Sequence, residues 1–133
     1  MSISPIGGFG NSYIQPLKKP ENPQDKNFEV YKEKTNKEVM EHEKAHQQVA
    51  GDLGGAIVID KNSDGVATGG HVPILIPEVT EGNFSITKEQ NERVKAAAMA
   101  PKDPSSQDYF VAAQAQANIN KALMFMNKKS ENN

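Results

Sequence analysis

His42-Glu43-Lys44-Ala45-His46 places two histidines four residues apart with a glutamate beside the first, the pattern H-E-x-x-H. On a helix, residues at i and i+4 lie one turn apart on one face, about 5–6 Å between Cβ atoms. Two imidazoles so placed can reach one ion at the about 2.0–2.1 Å of a zinc–nitrogen bond. Glu43 is turned about 100° round the helix from His42, a poor position for a third ligand. From there it can take a proton from a zinc-activated water, so the chemistry is metal-assisted hydrolysis with Glu43 as general base. The competing explanation is a solvated helix face. Against it, both histidines fall on the apolar stripe of Val39 and Val49, where unpaired imidazoles are costly to bury. Two of the chain's three histidines also sit in this one motif.

A catalytic zinc commonly has three protein ligands and one open position. The third histidine, His71, follows Gly69-Gly70, 25 residues after His46. That is enough chain for a loop, a strand, a turn and a returning strand, and the glycines permit close backbone approach. The expected zinc set is therefore His42, His46 and His71, one ion per chain. Glu78, Glu81, Glu92 and Asp108 compete for the third place. Asn91-Glu92 is similar to the start of the downstream glutamate helix of thermolysin-like enzymes, over two residues only. Asp108 also fits as a capping carboxylate or as an acceptor behind a ligand histidine. A hydrolase needs an oxyanion donor, and Tyr109 or a hairpin amide could serve. Asp60-Lys61-Asn62-Ser63-Asp64-Gly65 imitates the first half of a calcium loop. Its twelfth position is His71 where calcium needs a bidentate glutamate, and its flanks are strand-like, so a hairpin turn is the better reading.

These residues must be held by a small number of elements. From Asp25 to Ala50 there is no Pro or Gly, and Phe28, Tyr31, Thr35, Val39, His42, His46 and Val49 recur at helical spacing, with Gly51 as the stop. Ala56–Asp60 is β-branched and bounded by glycines, Lys61–Gly65 is turn chemistry, and Val66–Ile76 returns as a strand interrupted at Gly69-Gly70. This predicts a β-hairpin. Thr87 with Gln90 predicts a capping box for a helix over about 88–99, ended by Pro101. Ser105 with Asp108 predicts another, opening a helix to about Met126 with Ile119, Leu123 and Met126 on one stripe. The fold class is α+β, with a long active-site helix, a β-hairpin and two C-terminal helices. Residues 1–24, rich in Pro and Gly, read as a flexible N-terminal arm, 25–127 as one domain, and 128–133 as a disordered tail.

The chain of 133 residues is sized for one domain. No apolar run approaches the about 18 residues of a membrane span. A net charge of -2 gives no basic surplus for nucleic acid, and the absence of cysteine excludes disulfides, thiolate metal sites and a cysteine nucleophile. The N-terminus lacks a basic start and apolar core, so a cytoplasmic location is expected, with leaderless export left open.

Three segments together resemble the SprA-related family, small bacterial proteins regarded as zinc metalloproteases. They are EVMEHEKAHQQVAG (38–51), GGHV (69–72) and AAAMAPKDPSSQDYFVAAQA (96–115), and the third is the most distinctive. The resemblance implies a zincin-like domain, zinc held by His42 and His46, and Glu43 as general base. Where the family pattern reads G-G-E-V, this chain has His71 in place of the glutamate. The expected activity is a zinc metallopeptidase acting on a peptide or protein substrate. The alternatives are a non-catalytic domain stapled by zinc, or a hydrolase of a non-peptide amide.

Overall fold

The 25-residue helix α1, Lys26–Ala50, carries the motif. Asp25 caps its start, the side chain accepting the Asn27 amide at 2.9 Å, and Gly51 ends it with φ of 57°. Its inward stripe is Phe28, Thr35, Val39, His42, Glu43, His46 and Ala50. Val49 is 37 % exposed, so Ala50 takes the inward place that the sequence suggested for Val49. The structure, a computed structural model, describes residues 2–7 and 19–131.

A short 3-10 turn over Gly51–Leu53 leads to strands β2, Val58–Lys61, and β3, Ala67–Ile76, which form the expected antiparallel hairpin. In its turn, Asn62 Oδ1 accepts the amides of Asp64 and Val66, and Gly65 takes φ of 79°. The stretch resembling a calcium loop is thus flanked by strands. The strand β3 is continuous through Gly69 and Gly70, with no interruption there. A strand β1, Ser2–Gly7, pairs antiparallel with the other side of β3, giving the order β1-β3-β2. Part of the expected flexible arm is therefore ordered by backbone pairing, a signal its Pro and Gly content hides. The arm's residues 8–18 lie outside the described residues.

Helix α2, Phe84–Ala98, starts four residues earlier than expected. Thr87 is not its cap: its hydroxyl donates back to the Asn83 and Phe84 carbonyls inside the first turn. Helix α3, Ser106–Glu131, opens on the expected capping box and continues past Met126 through the first residues of the expected tail, whose last two lie outside the described residues.

Strand alternation decides what the sheet offers the helices. Gly70, Val72, Ile74 and Ile76 are buried, while His71, Pro73 and Leu75 on the alternate face are only partly covered. The core gathers Ala50 from α1, Val72, Ile74 and Ile76 from β3, Val94, Ala97 and Ala98 from α2, and Val111, Ala112 and Ala115 from α3. Small alanines at the α2–α3 contact let the two helices lie close. No helix among the described residues is long and apolar enough to cross a membrane.

Candidate metal centre

His42 and His46 meet Asp108, from the first turn of α3. The distances are 3.2 Å between the two Nε2 atoms, 3.3 Å from His42 Nε2 to Asp108 Oδ2, and 3.2 Å from His46 Nε2 to the same oxygen. The three ligand atoms make a nearly equilateral triangle. Metal bonds of about 2.0–2.1 Å in a tetrahedron require ligand–ligand edges of about 3.3–3.4 Å. The triangle therefore fits zinc-like tetrahedral coordination with one vertex left over.

Protonation supports the same fit. His46 Nδ1 is 2.8 Å from the Ala97 carbonyl oxygen, which can only accept, so Nδ1 carries the proton. In the neutral ring, Nε2 then presents a lone pair. That lone pair faces a carboxylate oxygen 3.2 Å away, acceptor against acceptor. A cation at that point relieves the opposition, either a proton on Nε2, which lets His46 donate to Asp108, or a metal ion held by both. A backbone carbonyl behind the ring is also the usual device for fixing a ligand imidazole's tautomer and orientation.

Local folding explains the convergence. His42 and His46 are one turn apart on α1. Asp108 is the fourth residue of the α3 capping box: its Oδ2 accepts the Ser105 amide at 2.8 Å, and the Ser105 hydroxyl accepts the Asp108 amide at 3.2 Å. Burial alone would push the Asp108 carboxyl up. Hydrogen bonds from His42, His46 and the Ser105 amide outweigh it and hold the carboxyl at about 2. It is an anion at every ordinary pH.

Glu43 completes the site from the adjoining face of α1. It is fully buried, and neither carboxylate oxygen has a hydrogen-bond partner. Burial, reinforced by the negative charge of Asp108, raises it from 4.5 to about 8. Its methylene stem lies against Gly70 of the hairpin.

The residue that the structure brings to His42 and His46 is Asp108, and His71 is not in that group. Among the described residues, the group of potential ligands within mutual reach is His42, His46 and Asp108. His71 misses because of parity on β3. Gly70 faces Glu43 and Val72 faces the core, so His71 between them is on the other side of the sheet. The competing carboxylates Glu78, Glu81 and Glu92 are exposed, and Glu92 pairs with Lys88. Asn91, beside it, is a buried bracket donating to the Pro77 and Thr87 carbonyls. Tyr109 is 55 % exposed, because it follows inward-facing Asp108 by about 100° round the helix. The structure does not bring it to the triangle. The signal for Asp108 was present in the sequence as a capping box, but nothing local said that its oxygen also reaches α1.

A family model describing the SprA-related family matches residues 14–130. The chain belongs to the SprA-related family. The match takes in α1, the hairpin, α2 and nearly all of α3, and so includes every residue of the SprA-related chain's candidate metal centre. Neither the curated proteins nor the solved structures contain a match to this chain.

Proposed function

We propose that the protein is a zinc-dependent hydrolase of peptide or other amide bonds, with Glu43 as its general base. The carrying observation is the juxtaposition of a tetrahedrally spaced His42–His46–Asp108 triangle with a buried carboxylate whose two oxygens have no partner. A structural staple needs the triangle alone. It gains nothing from an orphan carboxylate beside it, which costs stability to bury.

The residues that would hold zinc are His42, His46 and Asp108. When bound, the ion supplies a Lewis acid that polarises a carbonyl and acidifies a water. The protein's own part is the proton. Metal-free Glu43 is neutral below about pH 8, and a cation in the adjacent triangle favours its ionised form. An Oε atom of Glu43 then receives a proton and can return it to a leaving amine, since the side chain is fixed within the same buried pocket. Asp108, ionised throughout, supplies the triangle's one negative charge, and the Ala97 carbonyl keeps His46 in the ligating tautomer.

One observation favours the alternative of a zinc-stapled domain. His46, Glu43 and Asp108 are fully buried and His42 is 7 % exposed. Catalysis therefore requires the covering elements to part for a substrate.

The deciding experiment is elemental analysis of protein purified without added metal, followed by a peptide-library cleavage assay on wild type and Glu43→Gln. Hydrolysis should be lost in Glu43→Gln while zinc content is kept. A rate loss of about 10²–10⁴-fold is the usual consequence of removing a general base. Equal cleavage by both proteins would refute catalysis here, and zinc binding without cleavage by either would favour the staple.

A further inference from the structure

We infer that Gly70 is a positioning residue: the space left by its missing side chain is the seat of Glu43, and it fixes where that carboxylate stands beside the metal triangle. The inference rests on the proposed role of Glu43.

A Cβ built on Gly70 would lie 3.0 Å from Glu43 Cγ, 3.0 Å from Ile59 Cδ1 and 3.0 Å from the Val58 carbonyl oxygen. All three are well inside ordinary van der Waals contact. The Val58 carbonyl belongs to the paired strand and does not yield easily, whereas Ile59 Cδ1 is the free end of a half-buried side chain and can turn aside. The glutamate stem also has rotatable bonds, but it is met at Cγ, mid-chain, in a fully buried side chain, so an added methyl would turn its carboxylate. Gly70 has no left-handed backbone requirement, since the positive-φ glycines among the described residues are Gly51, Gly65 and Gly82. Its glycine is needed for space, not conformation. Of the centre's side chains, Glu43 is the one among the three nearest neighbours of the built Cβ.

The glutamate gains nothing from its seat except location. Neither of its oxygens makes a hydrogen bond, so no polar contact orients the carboxylate. Steric confinement between α1 and β3 is what holds it. A base positioned by packing alone is sensitive to displacements well under an ångström.

The test combines a stability cycle with a spectroscopic readout on the full chain. Gly70→Ala, Glu43→Ala and the double variant are compared by thermal unfolding, with Gly55→Ala as control, because a Cβ there meets Pro73 at an ordinary 3.5 Å. Gly70→Ala should lower Tm by several degrees in wild type and clearly less in the Glu43→Ala background, where the obstructing stem is absent. The contacts with Val58 and Ile59 are common to both backgrounds and cancel in the cycle. Cobalt is then loaded as the probe metal. Gly70→Ala should shift the visible absorption of the cobalt protein while holding cobalt within about 3-fold of wild-type affinity, since no ligand is moved. Gly55→Ala should leave the spectrum unchanged. Additive Tm losses, or a cobalt spectrum identical to wild type, overturn the inference. Neither readout uses turnover, so a protein without hydrolytic activity would sink the hydrolase reading and leave Gly70 decided by the cycle and the spectrum. If cobalt is not bound at all, the metal reading fails, and a Gly70 effect that persists undiminished in Glu43→Ala disposes of the seat as well. Should Gly70→Ala fail to fold alone, recovery of folding in the double variant is the same coupling in its strongest form.

Discussion

Asp108 Oδ2 lies 3.2 Å from His46 Nε2 and accepts the Ser105 backbone amide at 2.8 Å. One oxygen thus closes the N-terminus of α3 and completes a triangle with two residues of α1, 62 and 66 positions earlier in the chain. A metal ion held by these three residues would cross-link the first long helix and the last. Strands β2 and β3 and helix α2 lie within the loop it closes.

Replacing Asp108 by Asn separates the two jobs. The amide oxygen can still accept the Ser105 N–H, so the cap is kept, but the anionic ligand is gone. Zinc affinity, measured by competition with a chromogenic chelator, should fall by well over the roughly 10–100-fold expected of a residue behind a ligand. His71→Ala should bind zinc within about 3-fold of wild type, because its side chain is on the opposite face of β3. Loss of zinc by His71→Ala with retention by Asp108→Asn would overturn the ligand assignment.

The contrast between those two residues shows what the sequence could convey. Local rules reached α1 with its caps, the hairpin, the α3 capping box and the pair His42 and His46, since each depends on neighbours within a few residues. The start of α2 was misplaced because Thr87 matches a capping pattern, yet its amide and hydroxyl both donate to the Asn83 carbonyl, inside a helix that begins at Phe84. Strand β1 was missed because pairing with β3 is a contact across some seventy residues with little side-chain signature. The place of His71 turned on parity: glycines beside a histidine suggested close approach, and the approach is real, but it is Gly70 meeting Glu43. A one-residue step along β3 sends His71 the other way.

If the centre links α1 to α3, metal should stabilise the whole fold. At free zinc about 100 times the dissociation constant, mass action contributes about 2.7 kcal/mol. For a domain of this length that corresponds to a Tm rise of about 10 °C. Calorimetry of metal-stripped protein with and without zinc measures it. Asp108→Asn should lose most of the increment, and a Tm indifferent to zinc in wild type would exclude the cross-link.

Asn36 ties the hairpin turn to α1 ahead of the motif, its Nδ2 donating to the Gly65 carbonyl at 3.1 Å and its Oδ1 accepting the Ala67 amide at 2.7 Å. Asn36→Ala leaves both backbone groups without that partner and should cost about 1–3 kcal/mol by urea unfolding. Asn36→Asp keeps the acceptor and loses the donor, so it should fall between the two. Equal stability of all three proteins would show that the hairpin is held by its apolar contacts alone.

Glu43 makes the metal-free protein pH-dependent in a direction opposite to that of Asp108. Its folded value is raised to about 8 from 4.5, so the folded state binds more protons than the unfolded chain between those values. Stability contributed by neutral Glu43 is fully present below about 4.5 and is lost as pH rises towards 8. Asp108 is lowered to about 2 from 3.8. Its contribution is present above 3.8 and lost as pH falls towards 2. Metal-free stability from these two groups should therefore be greatest around pH 4–5 and decline towards pH 8 by an amount on the order of a few kcal/mol. Urea unfolding of wild type and Glu43→Gln at pH 5, 6.5 and 8 isolates the glutamate, because other titrating groups are common to both. Wild type should lose stability relative to the variant as pH rises, and parallel curves would show that Glu43 is ionised in the folded state at all three. Zinc should reverse the slope, since its ligands bind metal in their deprotonated forms and its charge favours ionised Glu43. A zinc-loaded protein that still weakens steadily from pH 5 to 8 would place the ion somewhere other than beside Glu43.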